Sequence, residues 1–86
     1  MSLKKLRERI DHIDQEILNK LNRRMELTLQ TKKFKSKTYD RNREIQVLGK
    51  VREHAQRLSL ISSEFAEKIF TETIRECRRL QIEEEK

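Results

Sequence analysis

The residues that could do chemistry are polar side chains standing where an apolar one is due. Arg24 and Lys35 interrupt a hydrophobic stripe in the first third of the chain, and Asp40 and Glu44 open a second amphipathic segment on its apolar arc. Gln81 follows Ile74 by seven and Cys77 by four, so at about 100° per residue it shares their inward face. Arg7 and Arg43 sit on the shoulders of such faces. The set mixes guanidiniums and an ammonium with two carboxylates and one amide. Arg forks bind carboxylates in bidentate fashion. A carboxylate such as Glu44 can accept a hydrogen bond from a ligand hydroxyl. Lys35 and Gln81 can donate to an ether or carbonyl oxygen on which charge develops. The chemistry described is a closed pocket for a small polyanion that carries a hydroxyl.

What is missing narrows the reaction type. No Ser–His–Asp or Cys–His arrangement stands out, and there is no Gly-rich phosphate loop. His12 and His54 have no spacing that suggests a metal site, so no metal and no cofactor is expected. Donors without a nucleophile suit a reaction that needs orientation and charge stabilisation more than covalent catalysis.

These side chains need rigid elements to hold them. Leu3 to Lys35 runs without a Gly or a Pro, which predicts one helix roughly 50 Å long at about 1.5 Å per residue. Leu3, Leu6, Ile10, Ile13, Ile17 and Leu21 form its apolar stripe, which continues through Arg24, Thr28, Thr31 and Lys35. Ser2 is placed to cap it. Ser36-Lys37-Thr38-Tyr39 breaks the pattern, and Asp40 is placed to cap a second helix. That helix is predicted over about 40–57, with Val47, Leu48, Val51, Ala55 and Leu58 inward and Gly49 inside it. After a break at 59–63, Ser62 or Ser63 caps a third helix over about 63–82, with Glu64 in its first turn. Its face carries Phe65, Ala66, Ile69, Phe70, Thr73, Ile74, Cys77 and Leu80. The tail from Glu83 is expected to fray.

Eighty-six residues allow one small domain, 1–86, and an all-α class. Three helices of such unequal length do not close into a compact monomer. The overhanging stripe of the first predicts an intertwined homodimer about a two-fold axis. Charged residues are 42% of the chain and the net charge is +6, which favours an anionic partner. The single cysteine forms no intrachain disulfide. The chain shows no signal-peptide pattern and no stretch long enough to span a membrane, so a cytoplasmic protein without membrane attachment is expected.

Five segments, in order, resemble the all-α chorismate mutase family across nearly the whole chain. Leu6-Arg7-Glu8-Arg9-Ile10-Asp11-His12-Ile13-Asp14 is similar to its opening LRxxIDxID pattern. Leu21-Asn22-Arg23-Arg24-Met25-Glu26-Leu27 resembles its LxxRxxL core, and Lys32-Lys33-Phe34-Lys35 matches the lysine closing the long helix. Asp40-Arg41-Asn42-Arg43-Glu44 resembles DxxRE, and Arg75-Glu76-Cys77-Arg78-Arg79-Leu80-Gln81 the closing segment. Each alone is weak; together and at this spacing they are specific.

The resemblance implies a Claisen-type rearrangement of chorismate to prephenate in an intertwined dimer with two equivalent sites. By matching position, Arg7 would reach across from the partner subunit to one substrate carboxylate, and Arg24 would bind the other. Lys35 and Gln81 would hydrogen-bond the ether oxygen. Glu44 would hold the ring hydroxyl with help from Asp40, and Arg43 would support the carboxylate network. Cys77 stands where relatives often carry a small hydroxyl residue, and Gln81 where some carry Glu. The connection after Lys35 is several residues shorter than in some members.

Each residue alone has a plainer explanation. Arg24 could be a snorkelling coiled-coil residue. Lys35 could be a solvated helix end, Asp40 only a cap, Glu44 an exposed ion-pair partner, Gln81 a frayed end and Cys77 a small core residue. Three other functions are open to the same sequence. A basic nucleic-acid-binding module gives no reason for inward Glu44 and Gln81, and stacking aromatics are scarce. A structural coiled coil does not explain the broad apolar faces of the second and third helices. An isochorismate pyruvate-lyase on the same fold would use nearly the same cationic pocket.

Overall fold

A computed structural model describes residues 2–34 and 40–85. Lys35 and the Ser36–Tyr39 break fall outside these residues. The described chain is helical, with no strand: α1 is Leu3–Thr31, followed by one 3-10 turn at Lys32–Phe34, α2 is Arg41–Ala55 and α3 is Ser63–Glu85.

The caps read from sequence are present. Ser2 Oγ accepts from the Lys5 N–H at 3.2 Å, and Asp40 Oδ1 accepts from the Arg43 N–H at 3.1 Å. Ser62 Oγ accepts from the Phe65 N–H at 3.0 Å. Each side chain satisfies a donor that the first helical turn leaves without a partner.

The helix ends differ from expectation in informative ways. The α-helical hydrogen bonding of α1 stops at Thr31 and tightens: the Lys32 N–H bonds the Leu29 carbonyl, three residues back. Threonine hydroxyls turn onto the backbone there, Thr28 Oγ1 to the Arg24 carbonyl at 2.9 Å and Thr31 Oγ1 to the Thr28 carbonyl at 2.6 Å. Helix α2 ends at Ala55, two residues early, because Arg57 and Leu58 donate to the His54 and Ala55 carbonyls in tight turns. Helix α3 continues to Glu85 instead of fraying after Ile82. Arg79 is gripped by Glu76 one turn before it and by Glu83 one turn after it. Such i,i+3 and i,i+4 pairs favour the helix over the frayed end, and the Arg79 guanidinium holds the Glu76 carboxyl below the usual range.

Helix α2 packs chiefly on α3, with α1 laid across α3 near its far end. Arg52 closes the α2–α3 hairpin. Its guanidinium reaches Glu67 at 2.8 Å, and its carbonyl accepts from Ser63 Oγ at 3.3 Å. The core is thin: among the described residues Ala55, Ala66 and Cys77 are the buried apolar ones, joined by the buried polar Thr73 and Gln81. No residue of α1 is buried. Leu3, Leu6, Ile10, Ile13 and Ile17 stand 43–62% exposed along one stripe, and Phe65 and Ile69 of α3, expected inward, are also exposed. The molecule measures 52 × 28 × 16 Å, so the N-terminal half of α1 projects beyond the other helices. Among the described residues, no helix is long and apolar enough to cross a membrane.

Candidate active site

A cavity of about 460 Å³ opens where the end of α1, the start of α2 and the end of α3 meet. That is within the range of small-molecule sites, roughly 300–1,000 Å³. Each helix contributes residues for a local reason. Helix α1 brings Arg24 and Thr28 on the polar continuation of its stripe, α2 brings Asp40, Arg43 and Glu44 in its capping turn, and α3 brings Cys77, Arg78 and Gln81 on adjoining rows.

Arg24 is half-buried and held from two sides. Its Nη1 donates to Cys77 Sγ at 3.5 Å, and its guanidinium lies 5.7 Å from the centroid of the Phe70 ring. A flat cation on an aromatic face is favourable and fixes the fork's plane. Cys77 is 4% exposed and packs as a small core residue while offering Arg24 its sulfur.

Gln81 is 2% exposed. Its Nε2 donates to the Thr28 carbonyl at 3.1 Å, and its own backbone carbonyl accepts from Lys32 Nζ at 3.0 Å. These bonds stitch the end of α3 to the tightened end of α1. One of the two amide N–H groups is used on Thr28, which leaves a second for a ligand.

Asp40 is exposed and occupied as the α2 cap. Arg43, also exposed, sends Nη1 to Gln46 Oε1 at 3.5 Å. Glu44, one residue on, is half-buried, and its Oε2 accepts from Arg78 Nη2 at 2.5 Å. Helix dipole and guanidinium act in the same direction there, both favouring negative charge in the first turn of α2.

Of the residues singled out from sequence, the structure brings together Arg24, Asp40, Arg43, Glu44, Cys77 and Gln81 around one cavity. Lys35 lies outside the described residues. Arg7 is not part of the cavity; it is exposed on α1, about 25 Å along the helix from Arg24 at 1.5 Å per residue. Two contributors escaped sequence reasoning. The Thr28 carbonyl is a backbone acceptor and leaves no mark in a residue pattern. Arg78 does carry a signal in the sequence: it precedes Gln81 by three and follows Ile74 by four, so it shares their row.

The lining among described residues sets three guanidiniums against two carboxylates, an arrangement for an anion. No group of His, Cys, Asp or Glu among the described residues has the spacing to hold a metal ion.

The family model for chorismate mutase type II matches residues 6–82. No curated protein and no solved structure matches the chain.

Proposed function

The chain belongs to the chorismate mutase type II family, and from that premise we propose that it is a chorismate mutase, rearranging chorismate to prephenate as an intertwined homodimer. The observation that carries this reading is the convergence of Arg24, Glu44 and Gln81, from three helices, on one cation-rich cavity of substrate size.

The reaction is intramolecular. The ether C–O bond breaks as a new C–C bond forms, and no group leaves the molecule. What the protein must supply is a compact substrate conformation and stabilisation of the negative charge that grows on the ether oxygen. Arg24, fixed on Phe70 and Cys77, takes one carboxylate. Arg7 of a second copy takes the other, which accounts for an arginine carried on a projecting helix with an uncovered apolar stripe. Gln81, oriented by the Thr28 carbonyl, gives its second N–H to the ether oxygen, and Lys35 adds an ammonium. Glu44 accepts from the ring hydroxyl, Asp40 lies beside it, and Arg43 supports the carboxylate network. Removing one donor to the ether oxygen costs about 3 kcal/mol of transition-state stabilisation.

The stripe from Leu3 to Ile17 becomes the dimer seam, in which each fully buried Ile or Leu contributes about 1.5–3 kcal/mol. Incubation with chorismate and, separately, isochorismate tests the assignment. Prephenate from chorismate supports it. Release of pyruvate from isochorismate, with no prephenate formed, would make the chain a lyase.

A further inference from the structure

The ion pair between Arg78 and Glu44 stands apart from most of the others. Arg23–Glu26, Arg75–Glu72 and Arg79–Glu76 each join neighbours on one helix and sit on the surface. Arg78 and Glu44 lie 34 residues apart, on α3 and α2, with side chains only 36% and 24% exposed, and both line the cavity. A pocket for a dicarboxylate has a difficulty built into it, because it contains two carboxylates of its own. With Arg78 the described lining carries one more positive than negative charge; without it, Arg24 and Arg43 are balanced by Asp40 and Glu44.

We propose that Arg78 is a positioning residue for dianion binding: it neutralises Glu44 across the α2–α3 junction, so that a carboxylate needed for a ligand hydroxyl does not repel the ligand's own carboxylates. This deepens the chorismate mutase reading and rests on it for the ligand class. The pairing also aims Glu44. Oε2 is taken by Arg78 Nη2, which leaves the other carboxylate oxygen as an acceptor on a residue that lines the cavity. The roles of the two arginines differ. Arg24 is held by a ring and a sulfur, neither of which cancels its charge, and so presents that charge to the ligand. Arg78 spends its charge on Glu44.

The test measures binding of prephenate, a dianion the enzyme does not consume, by calorimetry, alongside chorismate kinetics. Arg78→Met is expected to weaken prephenate binding at least about tenfold, because an uncompensated carboxylate a few ångströms from a dianion repels it in a part-buried site. The KM for chorismate rises in step, and kcat changes less. Arg78→Gln, which keeps a hydrogen-bonding side chain against Glu44, weakens binding similarly, because it is the charge that matters; it also serves if the methionine variant folds poorly. Arg78→Lys stays within about threefold of wild type. Adding Glu44→Gln to Arg78→Met restores prephenate binding, since no carboxylate is then left uncompensated. A merely structural strut would show no such rescue.

Wild-type affinity in Arg78→Gln, or a double variant that binds no better than Arg78→Met, overturns the proposal while leaving chorismate turnover by the wild type intact. A wild type that binds prephenate in this Arg78-dependent way but does not convert chorismate leaves the proposal standing and removes the assigned reaction. A wild type that neither binds prephenate nor converts chorismate removes both.

Discussion

Gln81 and Thr28 are 53 residues apart, yet the Gln81 amide donates to the Thr28 carbonyl at 3.1 Å in a setting where Gln81 is 2% exposed. That carbonyl accepts from Thr31 Oγ1 as well, and it has room for Gln81 because α1 tightens at its end: the Lys32 N–H goes to Leu29, one residue short of the α-helical partner. A helix terminus and a glutamine on another helix thus complete each other. The bond also fixes which end of the amide is which, since a backbone carbonyl can only accept.

Gln81→Glu follows directly. A carboxylate there would face the Thr28 carbonyl in a nearly water-free position, and both conditions disfavour the ionised form, raising its pKa above the usual range near 4.3. Only the protonated acid can donate to Thr28 or to an ether oxygen. The variant should therefore turn over chorismate at acidic pH and lose activity as pH rises through the raised pKa, by about 10²-fold or more at pH 8. Its stability moves the same way, because the folded state binds the proton more tightly than the unfolded one. The wild-type amide does not titrate, so its profile should be nearly flat across neutral pH. Full activity of the variant at pH 8 would remove Gln81 as the donor.

The proposed sharing of sites between subunits has a quantitative signature. Arg7→Ala and Arg24→Ala should each lose at least about 10³-fold of wild-type activity. A heterodimer of the two carries one intact site, formed by Arg24 of the first variant and Arg7 of the second. Unfolding and refolding an equimolar mixture should recover about a quarter of wild-type activity, because half the dimers are mixed and half their sites are whole. A mixture that stays inactive would mean that Arg7 serves no neighbouring site.

The stripe on α1 gives a physical test of assembly. Ile13 is 53% exposed in the single chain and central to the row. Ile13→Asp places a charge in the middle of the proposed seam, where burial without a partner would cost several kcal/mol. Light scattering should report half the wild-type mass, and chorismate turnover should fall with it. A dimeric, active variant would place the seam elsewhere.

Gly49 offers a test of stability that does not depend on the reaction. It lies inside α2 without a positive φ, and a Cβ built there meets nothing within 4 Å beyond the helix's own local backbone. Gly49→Ala should raise stability by about 1 kcal/mol per chain through backbone propensity alone. Thermal unfolding at fixed protein concentration measures it; a lower melting temperature would show that the position is closely approached in the assembled protein.

Much of this was legible in residue order. The stripe from Leu3 to Leu21 announced α1, Ser2, Asp40 and the Ser62–Ser63 pair announced the caps, with the structure choosing Ser62, and Arg24, Glu44 and Gln81 declared themselves by being polar on apolar arcs. These signals are local, and local geometry is what periodicity encodes. The rest depended on how helices cross. Nothing within α2 or α3 alone says that Arg78 meets Glu44. The tightened end of α1 goes with threonine hydroxyls bonding backward onto the backbone, which a stripe of positions does not weigh. The persistence of α3 to Glu85 reflects the ladder of Arg79 with Glu76 and Glu83, which the acidic tail disguised as a solvated end.

The most direct test follows the loss of chorismate absorbance on adding purified wild-type protein, with the product identified, and repeats it with Arg24→Ala. Stoichiometric conversion to prephenate by the wild type, reduced at least about 10³-fold in the variant, is the predicted result. Chorismate left unconverted at high enzyme concentration, or equal rates for the two proteins, would contradict the account.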